Sequence, residues 1–347
     1  MPTVQATVLE SLIARIFQAC GVAGEEARIV ADHLVDAEAC GHVSHGLLRV
    51  ASYVDAVTEG RIAAGAKLQV ISESPAAAVL DGQHGFGQVM AMQAMGFAVA
   101  LAERAGIGAV TLVNCSHTGR LGCYTEWAAR RGVAALMMVN SGGCGQWVAP
   151  YGGIAGRLAT SPLSFAVPTD GEDPLMLDMA TSVAPEGKVR AAQVAGKRLP
   201  EGWIIDHRGQ PSTDPADLYG PPRGALLPLG GHKGSGLAMV IDALAGGLSG
   251  AGCCTEVTAP MGGKTDGVFI IAIKIAAFQL LSTYQTQIGQ LVRHVKSSPA
   301  ASGFSEVLVA GEIEAKTRQA RRRDGIPVEP ATWDVLQSLS ERFHLAL

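Results

Sequence analysis

The sequence predicts a three-layer α/β protein: a mixed β-sheet covered by helices, with a helical subdomain formed by both ends of the chain. Residues 6–60 show helical periodicity throughout. From about residue 68 the pattern changes to short apolar runs separated by helical segments, and beyond about residue 278 helical patterns return. Strands that alternate with helices are typical of layered α/β folds.

Individual elements can be placed from these patterns. Helical segments are expected at 88–105, 120–131 and 331–343, and a long ordered loop at the Pro- and Gly-rich stretch 206–231. Because a crossover helix does not follow every strand, a mixed sheet is favoured over a purely parallel one. Short apolar runs predict strands near residues 68–71, 76–80, 107–113, 134–139, 164–168, 175–180 and 267–275.

Length and composition limit the organisation. The 347 residues are 48% hydrophobic and 17% charged, enough for a large core in two or three packed subdomains. We expect residues 1–70 and 281–347 to form the helical subdomain around an α/β domain at 71–280. The surplus of apolar side chains also predicts a homodimer or a higher homo-oligomer.

Several classes of protein are disfavoured. A net charge of −4 gives no reason to expect nucleic-acid binding. The seven cysteines contain no CxxC pair, which favours reduced thiols over a disulfide or zinc framework, and metal-binding spacings such as HExxH are absent from the sequence. We find no apolar stretch of membrane-spanning length and no signal-peptide core, so a cytoplasmic protein without membrane partners is expected.

The segment DGQHGFGQVMAMQAMG, residues 81–96, raises the question of a Rossmann dinucleotide site. Gly85 and Gly87 match the first two glycines of that fingerprint, but Met90 stands at the third. The next strand ends at Asn114, where an acidic residue would be expected. This partial match favours a tight turn that leads into a buried helix.

The segment SHGLLRVASY is the first candidate for chemistry. In a helix, His45, Arg49 and Tyr53 would lie on one face, with Ser44 able to orient the imidazole. An α-keto or α-hydroxy acid requires a planar cation for its carboxylate and a proton donor for its carbonyl oxygen. A solvated polar face remains the alternative.

Two further segments combine glycines with charged or titratable groups. In TLVNCSHTGRLGCY, His117 lies at a turn between a strand and a helix, where cofactors often bind; a purely structural histidine is the alternative. In LPLGGHKGSGLAMV, Lys233 stands where a glycine loop enters an apolar helix. Its order is not that of a P-loop, so it predicts either an anion site or a tightly packed glycine helix.

Together these segments resemble the second type of malate/L-lactate dehydrogenase family, which includes sulfolactate dehydrogenase, ureidoglycolate dehydrogenase, hydroxycarboxylate dehydrogenase B and Δ1-piperideine-2-carboxylate reductase. The resemblance covers nearly the whole chain and includes LDMATSVAPEGKV and LLPLGGHKGSGLAMVIDALAGGLSGAG. It implies an oxidoreductase that uses NAD or NADP and binds it in a non-Rossmann domain, here residues 71–280.

The resemblance also implies roles for individual residues. Ser44, His45 and Arg49 match the catalytic and substrate-binding segment, Tyr53 the substrate-side tyrosine, and His117 a residue with a catalytic role in some members. Thr160 lies in LATSP, where the family often has Gly-Thr-Asn-Pro, and Ala310 replaces a usual proline. The implied cofactor contacts are His117, Thr118, Gly119, Arg120, Leu121, Ser141, Asp178, Met179, Ala180 and Lys233.

These inferences lead to one expected activity and two alternatives. We expect hydride transfer between the nicotinamide cofactor and a small 2-oxo or 2-hydroxy carboxylic acid, with Arg49 binding the carboxylate. Either His45 or His117 would exchange the proton, through an ionisation near neutrality and without a metal; we favour His45, with His117 lining the nicotinamide. A reductase of cyclic imino acids and a non-catalytic dinucleotide-binding protein are the alternatives.

Overall fold

The computed structural model describes residues 1–255 and 265–346. Three 3₁₀ turns, at Val43–His45, Leu47–Arg49 and Ile275–Ala277, accompany its helices and strands. The elements are β1 (Thr3–Val4), α1 (Ala6–Ala19), α2 (Gly24–Ala39), α3 (Val50–Thr58), β2 (Gln69–Glu73), β3 (Ala77–Gly85), α4 (Gly87–Ala105), β4 (Ile107–Cys115), α5 (Gly122–Ala129), β5 (Val133–Asn140), β6 (Leu163–Val167), β7 (Leu175–Met179), α6 (Glu186–Val194), β8 (Ile204–Ile205), β9 (Pro211–Ser212), α7 (Ala216–Tyr219), β10 (Ala225–Leu226), α8 (His232–Ile241) with a π-helical continuation (Asp242–Leu248), β11 (Asp266–Lys274), α9 (Leu281–Lys296), α10 (Glu312–Asp324), β12 (Ile326–Pro327) and α11 (Pro330–Arg342).

A mixed seven-stranded sheet forms the centre of the fold, in the order β2-β3-β4-β11-β5-β6-β7. Only β3 and β4 pair in parallel, and α4 is the crossover between them; the other neighbours in this sheet are antiparallel. The predicted mixed α/β sheet is therefore confirmed. Among the described helices, none is both long and apolar enough to cross a membrane.

Alternate residues of the central strands bury opposite faces of the sheet. Met137 and Val268 belong to the main core, which also contains α4 and the N-terminal helices. Their neighbours Met138 and Phe269 pack instead with Ile241 at the end of α8. This two-residue alternation places helices on both faces and produces the three layers.

The two ends of the chain meet. Strand β1 pairs with β12, and Leu9 of α1 shares the main core with Leu336 of α11. The division of the chain into subdomains at residues 70 and 280 stays a prediction.

Segment 206–231 contains more regular structure than the sequence indicates. Strands β8, β9 and β10 form a small antiparallel sheet, and α7 packs beside it on a separate apolar cluster that includes Leu218 and Leu226. Strands of two residues are too short to produce a recognisable hydrophobic period, so a loop was the natural prediction.

The glycines of segment 81–96 allow two backbones to approach each other. A Cβ on Gly87 would collide with the carbonyl oxygens of Ser116 and His117. The N–H of Gly87 donates to Ser116 Oγ at 2.9 Å, so this first N–H group of α4 already has a partner. The turn therefore packs against the loop after β4, as the tight-turn interpretation predicts.

The predicted continuous helix through His45, Arg49 and Tyr53 is wrong. Two 3₁₀ turns separated by Gly46 precede α3, which begins only at Val50. The carboxylate of Glu38 lies against the break: it accepts the N–H of Leu47 at 3.0 Å and occupies the space that a Cβ on Gly46 would need.

Candidate active site

Two histidines form the centre of the candidate site. The rings of His45 and His117 stack with centroids 5.4 Å apart and planes inclined by 18°. His45 ends the first 3₁₀ turn after α2, whereas His117 follows β4 in the turn that leads to α5. The break at Gly46 thus places one predicted histidine directly against the other.

Both rings use Nδ1 for a hydrogen bond within the protein. Nδ1 of His45 lies 3.0 Å from Ser44 Oγ, and Nδ1 of His117 lies 2.7 Å from the hydroxyl of Tyr53. Within the described parts of the chain, Nε2 of neither ring has a hydrogen-bond partner. The two Nε2 atoms are therefore available to a ligand.

Tyr53 connects the histidine pair to helix α4. The side-chain nitrogen Nε2 of Gln88 donates to the Tyr53 hydroxyl at 2.8 Å, and both residues are buried. Burial raises the pKa of Tyr53 to about 12, so the phenol keeps its proton at neutral pH. Sequence reasoning missed Gln88, although it directly follows the two glycines of GFGQ.

Arg49 lies beside the histidines with its outer nitrogens free. Its Nε donates to the carbonyl oxygen of Ser44 at 2.7 Å, which fixes the side chain. Neither Nη nitrogen has a hydrogen bond to any residue that the structure describes. The free end of a guanidinium has the geometry to bind a carboxylate with two parallel hydrogen bonds.

The electrostatics of the two histidines differ from expectation. Burial, reinforced by the nearby Arg49 charge, lowers the pKa of His45 to about 3. The same causes, in the same order, hold the pKa of His117 well below its usual range. The lowered pKa values favour the neutral form of both rings in the ligand-free protein, so an ionisation of these histidines near neutrality, as the sequence suggests, is not expected there.

A buried carboxyl beside the site was not predicted. Asp266 Oδ2 accepts hydrogen bonds from the backbone N–H of Thr118 at 2.9 Å and from its hydroxyl at 3.1 Å. Burial raises the pKa of Asp266 to about 7. Because Thr118 follows His117, Asp266 holds the turn that carries the second histidine.

The implied cofactor segment continues into a buried cluster of charges. Arg120 donates its backbone N–H to Nε2 of His33 at 3.1 Å, and its side chain is 2% exposed. Asp36 accepts a hydrogen bond from Arg120 Nη1 at 3.2 Å, and Asp178 accepts the N–H of Gly122 at 2.7 Å. Nε and Nη2 of Arg120, although buried, make no hydrogen bond to the described residues, but they form ion pairs with Asp178 Oδ2 at 3.9 Å and Glu126 Oε2 at 4.0 Å.

Other implied residues lie apart from this network. The carbonyl oxygen of Thr160 accepts two bonds from Thr181, both at 2.9 Å, and Lys233 is exposed near the start of α8. In the described chain, no hydrogen bond or ion pair joins Thr160, Ser141 or Lys233 to either histidine. The start of α6, by contrast, contacts the site, since a Cβ on Gly187 would lie 3.0 Å from that of Ser44.

The comparison with protein families decides the assignment. The model described as malate/L-lactate dehydrogenase matches residues 4–337. The chain belongs to this family. The relatives that match are named dehydrogenases, so the protein is an oxidoreductase, and the non-catalytic alternative loses its support.

Three similar proteins illustrate the family to which this dehydrogenase belongs. Malate dehydrogenase from Pyrococcus abyssi is 36% identical over 96% of this chain and 93% of its own length. A putative malate/lactate dehydrogenase structure from E. coli has a TM-score of 0.92 and 33% identity, covering 100% of this chain and 96% of its own. The structure of Δ1-piperideine-2-carboxylate reductase from Pseudomonas syringae pvar. tomato has a TM-score of 0.84 and 29% identity, covering 98% and 100%.

A cleft lies beyond the charge cluster of the dehydrogenase, between the β6–β7 turn and helices α9 and α10. Its volume is about 330 Å³, and its wall is mixed: Leu175, Val292 and Val309 are apolar, whereas Arg293 and Lys296 are charged and pair with acidic side chains of the same wall. Gly311 closes one side against β7, where a Cβ would approach the Met176 carbonyl oxygen to 2.9 Å.

Proposed function

We propose that this dehydrogenase transfers hydride reversibly between NAD or NADP and a 2-oxo or 2-hydroxy carboxylic acid. One observation supports this most strongly: in the described chain, the Nη nitrogens of Arg49 and the Nε2 atoms of His45 and His117 make no hydrogen bonds and belong to one cluster. A carboxylate next to a carbonyl group needs this combination of a planar cation and a neutral imidazole.

Each side chain then has one task. Arg49 binds the substrate carboxylate, with its Nε held by Ser44 so that little side-chain freedom is lost on binding. His45 exchanges the substrate proton at Nε2, and Ser44 orients that ring through Nδ1. A nicotinamide held by the residues named below would supply or accept the hydride. Tyr53 and Thr160 remain proposed substrate contacts, although the Tyr53 hydroxyl already has two partners.

The residues implied to hold the cofactor suit a dinucleotide. One observation in favour is that Nε and Nη2 of the buried Arg120 make no hydrogen bond to the described residues, although Asp178 and Glu126 lie at ion-pair distance. A dinucleotide is anionic, and guanidinium N–H groups bind phosphate and hydroxyl oxygens. The cleft of about 330 Å³ next to Gly311 offers further volume. The residues that we propose to hold NAD or NADP are His117, Thr118, Gly119, Arg120, Leu121, Ser141, Asp178, Met179, Ala180 and Lys233.

A cyclic imino acid such as Δ1-pyrroline- or Δ1-piperideine-2-carboxylate is the second candidate substrate. The similarity to the Pseudomonas reductase supports it, as does the shared chemistry of a carboxylate beside a reducible double bond. Arg49 would bind this carboxylate in the same way. Only the proton requirement at the reacting atom differs, since an imine nitrogen replaces the carbonyl oxygen.

We also propose a cytoplasmic homodimer or higher homo-oligomer. Large apolar side chains are exposed on the monomer, among them Phe278 at 68%, Leu280 at 74% and Phe304 at 73%. Such side chains favour burial against a second copy. No disulfide bond joins the cysteines of the described regions, which supports a reducing compartment.

A substrate screen tests the function. Purified protein is mixed with 2-oxo acids, among them pyruvate and oxaloacetate, or with cyclic imino acids, each with NADH and with NADPH, and the loss of nicotinamide absorbance is followed. We expect turnover of at least one carboxylate substrate and none of the matching aldehydes or amides. Turnover that does not require the carboxylate would contradict the proposal.

A further inference from the structure

Gln88 is the residue of the GFGQ motif that remains without a role in the proposed function. It lies in the first turn of α4 and is 1% exposed. Its Nε2 donates to Tyr53, whereas its Oε1, also buried, has no hydrogen-bond partner among the described residues. A buried amide is selective about direction, because its nitrogen can only donate and its oxygen can only accept.

Two successive hydrogen bonds connect Gln88 to His117 through Tyr53, and the donor of the first determines the donor of the second. Since Tyr53 accepts from Gln88 at 2.8 Å, its own O–H is left to donate to Nδ1 of His117 at 2.7 Å. A neutral imidazole that accepts at Nδ1 carries its proton on Nε2. Nε2 of His117 makes no hydrogen bond to any residue that the structure describes, so it is the ring atom open to a ligand.

We propose that Gln88 is a positioning residue that fixes the proton of neutral His117 on Nε2, so that His117 acts as a hydrogen-bond donor toward the bound ligand and not as a base. This inference rests on the proposed function for its consequence, but the proton position is a property of the ligand-free protein. In that form His117 stabilises a developing negative charge on the substrate oxygen or holds the nicotinamide amide.

His45 differs in the group that holds its Nδ1. The Ser44 hydroxyl can rotate and either donate or accept, so it permits both tautomers of His45. With its proton on Nδ1, His45 can accept the substrate hydroxyl proton at Nε2 while hydride leaves the same substrate carbon for the nicotinamide. The two stacked rings therefore divide the work: one donates permanently and the other exchanges the proton.

The test is the histidine tautomer measured by long-range ¹H–¹⁵N NMR on ring-labelled protein without ligands, with the His117 signals assigned from His117→Gln. The wild-type protein should show Nε2 protonated and Nδ1 accepting. In Gln88→Glu, the ionised carboxylate can only accept, so Tyr53 should donate to it and His117 should move its proton to Nδ1 as the pH rises. Tyr53 keeps its proton over this range because burial raises its pKa to about 12.

Gln93→Glu is the matched control, because it places the same charge on an exposed position of the same helix. It should leave the tautomer of His117 unchanged. The charged or titratable groups around the ring, Arg49, His45 and His33, are the same in both variants. A wild-type His117 with its proton on Nδ1 overturns the inference without any variant, and so does a Gln88→Glu protein that keeps the wild-type tautomer up to pH 10. Neither result depends on turnover.

Discussion

His45 and His117 stack face to face, 5.4 Å between ring centroids, although one follows helix α2 and the other strand β4. Each neutral ring has its Nδ1 bonded and its Nε2 open. Two imidazolium ions at this separation would repel each other strongly, so the pair can hold at most one extra proton. A proton that the pair takes up therefore titrates as a property of both rings, although only His45 is proposed to exchange it with the substrate.

Arg49→Lys should raise KM and lower kcat/KM for the carboxylate substrate while the affinity for the cofactor stays nearly constant. Lysine keeps the charge but loses the two-pronged geometry and the Nε donor that binds the Ser44 carbonyl. Losing one charge-assisted hydrogen bond costs roughly 1.5–3 kcal/mol, or about 10- to 150-fold. Steady-state kinetics measures this, with Arg61→Lys, an exposed pair partner of Glu59, as the control. Unchanged kinetics would remove Arg49 from the site.

The active protein should sediment as a dimer or a larger assembly. The exposed side chains of Phe278, Leu280 and Phe304 present apolar surface that a second copy would remove from water. Analytical ultracentrifugation at the concentration used for activity measurements decides the matter. A fully active species at the monomer mass would contradict this prediction.

Much of the fold and part of the site could be predicted from the sequence. The apolar runs located the strands of the central sheet because a buried strand appears in the sequence as a continuous run of apolar residues. His45, Arg49 and Tyr53 were singled out for their chemistry, and the structure brings them together on a different backbone from the one expected. A continuous helix does not run through them, and the chain at Gly46 instead packs against Glu38 of the preceding helix, a contact that spacing within the segment does not reveal.

The residues that the sequence could not reveal act through distant partners. Asp266 contributes to the site by accepting hydrogen bonds from Thr118, and Gln88 contributes by donating one to Tyr53. No spacing in one sequence encodes these pairs, since each joins separate elements across the core. The lowered pKa values of the histidines were equally out of reach, because desolvation depends on what packs around a ring and not on its neighbours in the chain.

Asp266→Asn should flatten the dependence of stability on pH. The carboxyl has a pKa of about 7 in the folded protein, well above the roughly 3.9 of an unfolded aspartate, so the folded state binds more protons between these values. Stability therefore falls as the pH rises from about 4 to about 7, by up to a few kcal/mol. Asparagine can still accept from Thr118 but has nothing to ionise.

Urea unfolding at pH 5 and pH 8 measures the effect of Asp266→Asn. The free energy of unfolding of the variant minus that of wild type should be larger at pH 8 than at pH 5. Asp55→Asn removes an exposed carboxyl from α3 and serves as the control. The same difference between variant and wild type at both pH values would show that Asp266 does not ionise in this range.

His45→Ala and His117→Ala should fail in different ways. His45→Ala should still bind NADH or NADPH in a fluorescence titration but lose roughly 10²- to 10⁴-fold in kcat, the usual range for a general acid or base. His117→Ala should weaken cofactor binding first, because its Nε2 faces the ligand from the turn that begins the implied cofactor segment. His207→Ala changes an exposed histidine far from either role and should behave as wild type. If His117→Ala binds cofactor normally yet loses turnover while His45→Ala stays active, the two roles are exchanged, and the open Nε2 of His117 is the atom that moves the proton.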